Sequence, residues 1–172
     1  MNKAAFYDLS YGVYVLTTYD EVQNRPTGCV ANSAMQVTSD PATIAVSVNH
    51  DNYTNECIMR HKRFAISILS ETIDPKVIGA FGFRSGRDND KFAAVAHTEV
   101  DGVAVLEDAC SFIVCELIDT METSTHTVFL GKVVEADTLS GGVPMTYAYY
   151  HKVVKGKAPK NAPTYIAPEA NG

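Results

Sequence analysis

The stretch Thr43-Ile44-Ala45-Val46-Ser47-Val48-Asn49 decides the architecture. Ile44, Val46 and Val48 alternate with Ala45, Ser47 and Asn49, the period of two that places apolar side chains on one face of a β-strand. Phe64, Ile66 and Ile68 repeat the pattern downstream, after a helix-like stretch from Thr54 to Arg63. Upstream, Gly12 to Tyr19 is rich in β-branched and aromatic residues and runs into the turn-like Asp20 to Pro26, so it reads as a strand and its return. Cys110 to Ile118 and His126 to Val134 read as two more long strands, joined by the polar Asp119 to Thr125. Helical signals are limited to Lys3–Leu9, the segment after Thr54, and Pro75–Phe81, where Pro75 suits a first helical turn. Strands dominate both halves without alternating regularly with helices, and no GxGxxG follows a strand. A doubly wound parallel sheet is therefore excluded in favour of a mainly β barrel or sandwich with a few short helices.

The chain has 172 residues, close to a single domain. Its 46% hydrophobic and 20% charged residues supply an ordinary core and exclude a disordered or fibrous chain. A formal charge of -6 has the wrong sign for neutralising phosphate backbones, so nucleic acid is not an expected partner. Apolar runs are short, and Asp8 precedes any hydrophobic region; neither a signal peptide nor a membrane span is expected. The four cysteines, Cys29, Cys57, Cys110 and Cys115, lack CxxC spacing, which argues against a metal site and for reduced, mostly buried thiols in a cytoplasmic protein. Pro159, Pro163 and Pro168 hold three of the seven prolines, so the chain divides into a domain at 1–154 and a Pro-rich tail at 155–172, a linker or an arm that docks elsewhere.

Four segments could carry chemistry. Thr27 to Ala34 is a strand-like run of small residues, with Val30, Ala31, Asn32 and Ser33 at its centre. Such a surface lets a planar heterocycle approach the backbone; from composition alone, the plainer reading is a strand packed tightly against a neighbour. Val48 to Asn55 leaves a strand and enters a helix with Thr54 as a natural N-cap, a terminus that either seats a phosphate or only closes the helix. Phe81 to Phe92 concentrates Arg84, Arg87 and Lys91 around Gly82, Ser85 and Gly86 and could wrap an anion, unless Asp88 and Asp90 neutralise those cations. In Ser124 to Gly131, His126 opens a strand whose Gly131 marks a bulge or close approach; the histidine would matter beside a redox ring. Tyr147, Tyr149, Tyr150 and His151 form a late aromatic cluster, read as core and interface.

In this order the segments resemble the flavin reductase-like family of FMN-binding split barrels, especially flavoredoxin and the flavin domain of high-molecular-weight rubredoxins. The resemblance spans about Asp8 to Ile166 and is sharpest at Ala31-Asn32-Ser33, Val46 to Asn49 with Tyr53-Thr54, Phe83 to Lys91, and His126 to Gly131. It implies a six-stranded antiparallel barrel, usually a homodimer, that binds FMN noncovalently. By similarity, Val30 to Ser33 would border the isoalloxazine. Asn49, His50, Tyr53 and Thr54 would contact the ribityl and phosphate side, and Phe83, Arg84, Ser85, Gly86 and Lys91 would close around the phosphate. The expected activity is that of an oxidoreductase taking hydride from NADH or NADPH onto bound FMN, with His126 assisting near the ring, and passing electrons to a rubredoxin or flavodiiron-type partner. Alternatives are an electron carrier that does not use a nicotinamide, and a reductase that releases reduced flavin. Releasing reductases often carry an acidic residue before the histidine, where this chain has Thr125.

Overall fold

A computed structural model describes residues 2–139 and 142–165. After a 3-10 helix at Lys3–Asp8, the chain forms β1 (Tyr14–Asp20), β2 (Arg25–Ala31), β3 (Ala34–Ser39), β4 (Ala42–Asn49), α1 (Tyr53–His61), β5 (Arg63–Ile68) and α2 (Pro75–Phe83). It continues through β6 (His97–Val100), β7 (Val103–Leu106), β8 (Ser111–Glu122), β9 (His126–Thr138) and α3 (Tyr147–Lys152). Seven strands pair in the order β2-β1-β5-β8-β9-β4-β3, antiparallel throughout.

The two edge strands of that sheet, β2 and β3, are consecutive in sequence with only Asn32 and Ser33 between them. One edge thus runs straight into the other, and the sheet curls into a barrel; the Ser47 N–H donates to the Ser33 carbonyl at 3.1 Å, carrying the ladder across the junction. Counted as one bent strand, β2 and β3 give the six strands expected. The run Thr27 to Ala34, read as one strand, changes partner from β1 to β4 at Asn32.

The barrel interior is the alternating face of the deciding stretch: Ile44, Val46 and Val48 pack with Leu16, Phe64 and Phe129. Gly131 lies where a Cβ would come within 2.6 Å of both Cys115 Cβ and Phe64 Cζ, and the β8–β9 register shifts opposite it, between Leu117 and Asp119. The opposite face of β5 is covered as well. The β6–β7 hairpin lies over it, with the Leu106 N–H donating to Ser67 Oγ at 3.1 Å and Thr17 Oγ1 donating to the Ala104 carbonyl. Thr17 and Ser67 are fully buried yet satisfied, which avoids the roughly 1–3 kcal/mol cost of an orphaned polar group. A second core under α2 and α3 includes Val13, Leu69, Ile78, Phe81 and Tyr150.

Three local expectations change. The polar Asp119–Glu122, expected as a loop, continues β8, leaving 123–125 as the link to β9; ladder hydrogen bonds hold a strand there although both faces meet solvent. The helix after β4 begins at Tyr53, and its N-cap is Asn52 rather than Thr54: Asn52 Oδ1 accepts the Thr54 N–H at 3.2 Å, and Thr54 itself is buried in the first turn. The late aromatic cluster is the helix α3. All four cysteines are free and buried, and among the described residues no helix is long and apolar enough to cross a membrane.

Residues 153–165 fold back on their own domain. The Gly156 N–H donates to the Tyr150 carbonyl at 3.0 Å, and His151 Nδ1 donates to the Gly156 carbonyl at 2.8 Å. Gly156 rests on the Tyr150 ring, where a Cβ would be about 2.0 Å from a ring carbon.

Candidate functional site

A cavity of about 360 Å³ opens where the end of β2, the β4–α1 turn, the end of α2 and the returning arm meet. That volume lies in the range of about 300–1,000 Å³ typical of small-molecule sites. One wall is the small-residue strand Cys29, Val30, Ala31 and Asn32; a second is Ser47 to Asn49 with Asp51, Asn52 and Tyr53. The third comprises Ile78, Phe81 to Ser85 and Lys91, and the fourth Tyr147, Tyr150 and Pro159 to Pro163. Of the residues expected at a site, Val30, Ala31, Asn32, Asn49, Tyr53, Phe83, Arg84, Ser85 and Lys91 are therefore brought together.

Ser33, His50, Thr54 and Gly86 are not part of this lining. Ser33 Oγ donates to Asn32 Oδ1 at 2.9 Å. His50 turns away to Glu122, with Nε2 and Oε2 2.9 Å apart. Gly86 packs on Thr27, whose Oγ1 would be 2.2 Å from a Cβ, and its carbonyl accepts from Arg25 at 3.1 Å.

The three cations of the Phe81–Phe92 segment take different fates. Arg87 pairs with Glu56 at 2.6 Å and stacks over the Tyr53 ring at 4.4 Å. Lys91 is buried, and its Nζ donates to the Gly28 and Phe81 carbonyls at 2.7 and 3.2 Å; burial without a carboxylate partner lowers its pKa, with Cys29 pulling the other way. Arg84 lines the cavity and takes part in none of the ion pairs among the described residues. Asp88 and Asp90 do not neutralise these cations; Asp90 Oδ1 instead accepts the Phe92 N–H at 3.0 Å. The loop is pinned from behind by Gln23, which donates to the Arg87 carbonyl at 3.1 Å and to Asp20, while the Tyr53 hydroxyl donates to Asp20 at 2.8 Å.

His126 sits beside the cavity, paired across the ladder with Asn49. Its Nδ1 is 2.8 Å from Thr125 Oγ1, so the hydroxyl orients the ring. Its buried Nε2 has no hydrogen-bond partner. Burial lowers the His126 pKa and the charge of His50 adds to the effect; the Asn161 backbone opposes it, but lies outside hydrogen-bonding geometry and leaves Nε2 unpartnered.

The sequence missed two contributors. Tyr147 and Tyr150, read as core and interface, line the cavity, and so does the arm Pro159–Pro163. Asn32 Nδ2 donates to Thr164 Oγ1 at 2.7 Å, and Thr164 Oγ1 donates to the Tyr147 hydroxyl at 2.8 Å, which latches the arm across the cavity. Spacing along the chain carries no signal for a contact 132 residues apart.

The donor set suits a flavin with a phosphate. A small-residue strand admits a flat ring, Arg84 and the α1 N-terminus offer cationic and N–H groups to an anion, and His126 Nε2 is a buried polar atom without a partner.

Residues 6–157 match the family described as "Flavin reductase like domain". The high molecular weight rubredoxin of Moorella thermoacetica is 42% identical over 167 residues, covering 96% of this chain and 72% of the relative. The ferric-chelate reductase (NAD(P)H) of Archaeoglobus fulgidus is 36% identical over 168 residues, covering 96% and 98%. Among solved structures, the NADH:FAD oxidoreductase SgcE6 of Streptomyces globisporus superposes with a TM-score of 0.71 at 26% identity, covering 78% of this chain and 79% of that one. With strand closure, cavity and sequence in agreement, the chain belongs to the flavin reductase-like family.

Proposed function

We propose that this protein is an FMN-dependent oxidoreductase that takes hydride from NADH or NADPH and delivers electrons to a redox partner. The observation that carries this reading is the convergence of the small-residue strand, Arg84 and the α1 entrance on one cavity. The names of the two relatives, a rubredoxin and an NAD(P)H-dependent ferric-chelate reductase, support an electron-delivering role. When bound, the flavin would supply hydride acceptance and one-electron donation. The chain's own residues bind, orient and shield. Val30, Ala31 and Asn32 border the ring, with Ser33 bonded to the Asn32 amide; Asn49 and Tyr53 flank the ribityl chain at the α1 entrance; and Phe83, Arg84 and Ser85 face the phosphate, with Gly86 and Lys91 bracing their loop. Arg84 provides the direct ion pair, while Lys91 fixes the Gly28 and Phe81 carbonyls behind it. His126 would stand at the nicotinamide side, where burial holds its pKa below the ordinary histidine value.

FMN is favoured over FAD because the arm Pro159–Pro163 adds a fourth wall to a cavity of only about 360 Å³. The same arm favours retention of the flavin over its release, which keeps a nicotinamide-independent carrier as the second reading. Exposed Met35 and Val37 on β3 and Ile118 and Met121 on the projecting end of β8 suit a homodimer interface. Four free, buried thiols fit a cytoplasmic setting. Rapid mixing of the FMN-loaded protein with NADH or NADPH tests the reading. Prompt bleaching supports the oxidoreductase, bleaching only by a reduced protein donor supports the carrier, and failure to take up FMN at all overturns both.

A further inference from the structure

Charge is unevenly spread along the chain. Between Asp137 and Glu169 there is no acidic residue, yet Lys152, Lys155, Lys157 and Lys160 fall there, in a protein whose formal charge is -6. All four lysines are exposed, and none enters an ion pair among the described residues. Arg60 and Arg87 pair with Glu56 and Arg63 with Asp101, whereas Lys62, Lys76 and Lys132 stand apart from one another along the chain; the tail is where unpaired lysines gather. Val153 and Val154 stand exposed between the lysines, at 59% and 38%. The patch leads directly into Pro159–Pro163, the outer wall of the cavity.

Four like charges within nine residues repel one another, and no ion pair among the described residues offsets them. A pyrophosphate needs only one or two cations. A row of lysines that continues from the end of α3 along the arm, with apolar side chains between, matches the wider face of a protein, whose core contacts are apolar and whose rim is charged. We propose that Lys152–Lys160 is the docking surface for a small acidic electron-transfer protein, seated over the arm that walls the cavity. The inference rests on the redox reading above. For each doubly reduced flavin, two acceptor molecules take one electron each and two protons go to water, NAD(P)H having supplied the electrons.

Lys155→Glu with Lys157→Glu tests this, since neither side chain lines the cavity. Calorimetric titration with an acidic rubredoxin, on flavin-free and on FMN-loaded full-length protein, should show wild-type affinity falling about tenfold or more between low and physiological salt, as for charge-steered partners. The double variant should bind about tenfold or more weakly at low salt, with bleaching by NAD(P)H unchanged. Lys155→Gln with Lys157→Gln should fall between the two. Binding that ignores salt, or equal binding by the Glu variant, would overturn the docking surface. A wild-type protein that takes up no FMN would overturn the functional reading instead, and the flavin-free titration still judges the arm.

Discussion

Asn32 Nδ2 and Thr164 Oγ1 lie 2.7 Å apart, joining the corner where β2 becomes β3 to an arm 132 residues away. The amide is oriented from both ends, because Ser33 Oγ donates to its Oδ1 at 2.9 Å. The corner that closes the barrel therefore also fixes the cover of the cavity.

Removing that latch should loosen the arm without unfolding the barrel. Thr164→Val deletes two hydrogen bonds worth about 0.5–1.5 kcal/mol each. Faster amide exchange confined to residues 157–165, with FMN affinity reduced roughly tenfold, is expected from exchange mass spectrometry and fluorescence titration. Unchanged exchange would show that the prolines alone hold the arm.

Arg84 offers the sharpest test of the phosphate assignment. Arg84→Ala should weaken FMN binding by about 10- to 100-fold, the scale of a charge-assisted contact of about 1.5–3 kcal/mol, and leave riboflavin binding unaltered. Lys91→Ala is a poorer probe, because its ammonium also satisfies two buried carbonyls and its loss destabilises the fold itself. Equal losses for FMN and riboflavin in Arg84→Ala would move the phosphate elsewhere.

His126 should govern an acid-side slope in stability. Its folded pKa lies below the ordinary 6.5, so the unfolded chain takes up the proton first. The contribution is neutral above about pH 6.5 and becomes destabilising as pH falls below it. Thermal melts from pH 7.5 to 5 should fall less steeply in His126→Gln than in wild type, and the His126 ring resonance should titrate below pH 6.5.

Gly131 is a steric requirement of the barrel. A methyl there meets Cys115 Cβ and the Phe64 ring at 2.6 Å, both in the fully buried interior. Gly131→Ala should cost about 1–3 kcal/mol, as overpacking does, and appear as a lower Tm in calorimetry with little change in flavin affinity.

The fold was legible where burial is one-sided. Ile44, Val46 and Val48 announce a strand because one face meets the core. Ser67 and Ala65 disguise their burial, because the β6–β7 hairpin that covers them lies far along the chain. The projecting part of β8 reads as a loop because a ladder needs only backbone partners, which composition does not report.

The site divides the same way. Sequence alone determined the donors: the small-residue strand, the Arg84 loop and the helix entrance are local chemistry, expressed within a few neighbouring residues. Only the tertiary structure decided their use. It sends Arg87 to Glu56 and turns the Lys91 ammonium onto the Gly28 and Phe81 carbonyls, leaving Arg84 as the cavity-lining cation of that loop that neither an ion pair nor a buried carbonyl engages among the described residues. It also brings Thr164 and Tyr147 to Asn32, because hydrogen bonds and Coulomb forces act through space over a few ångströms and take no account of separation along the chain.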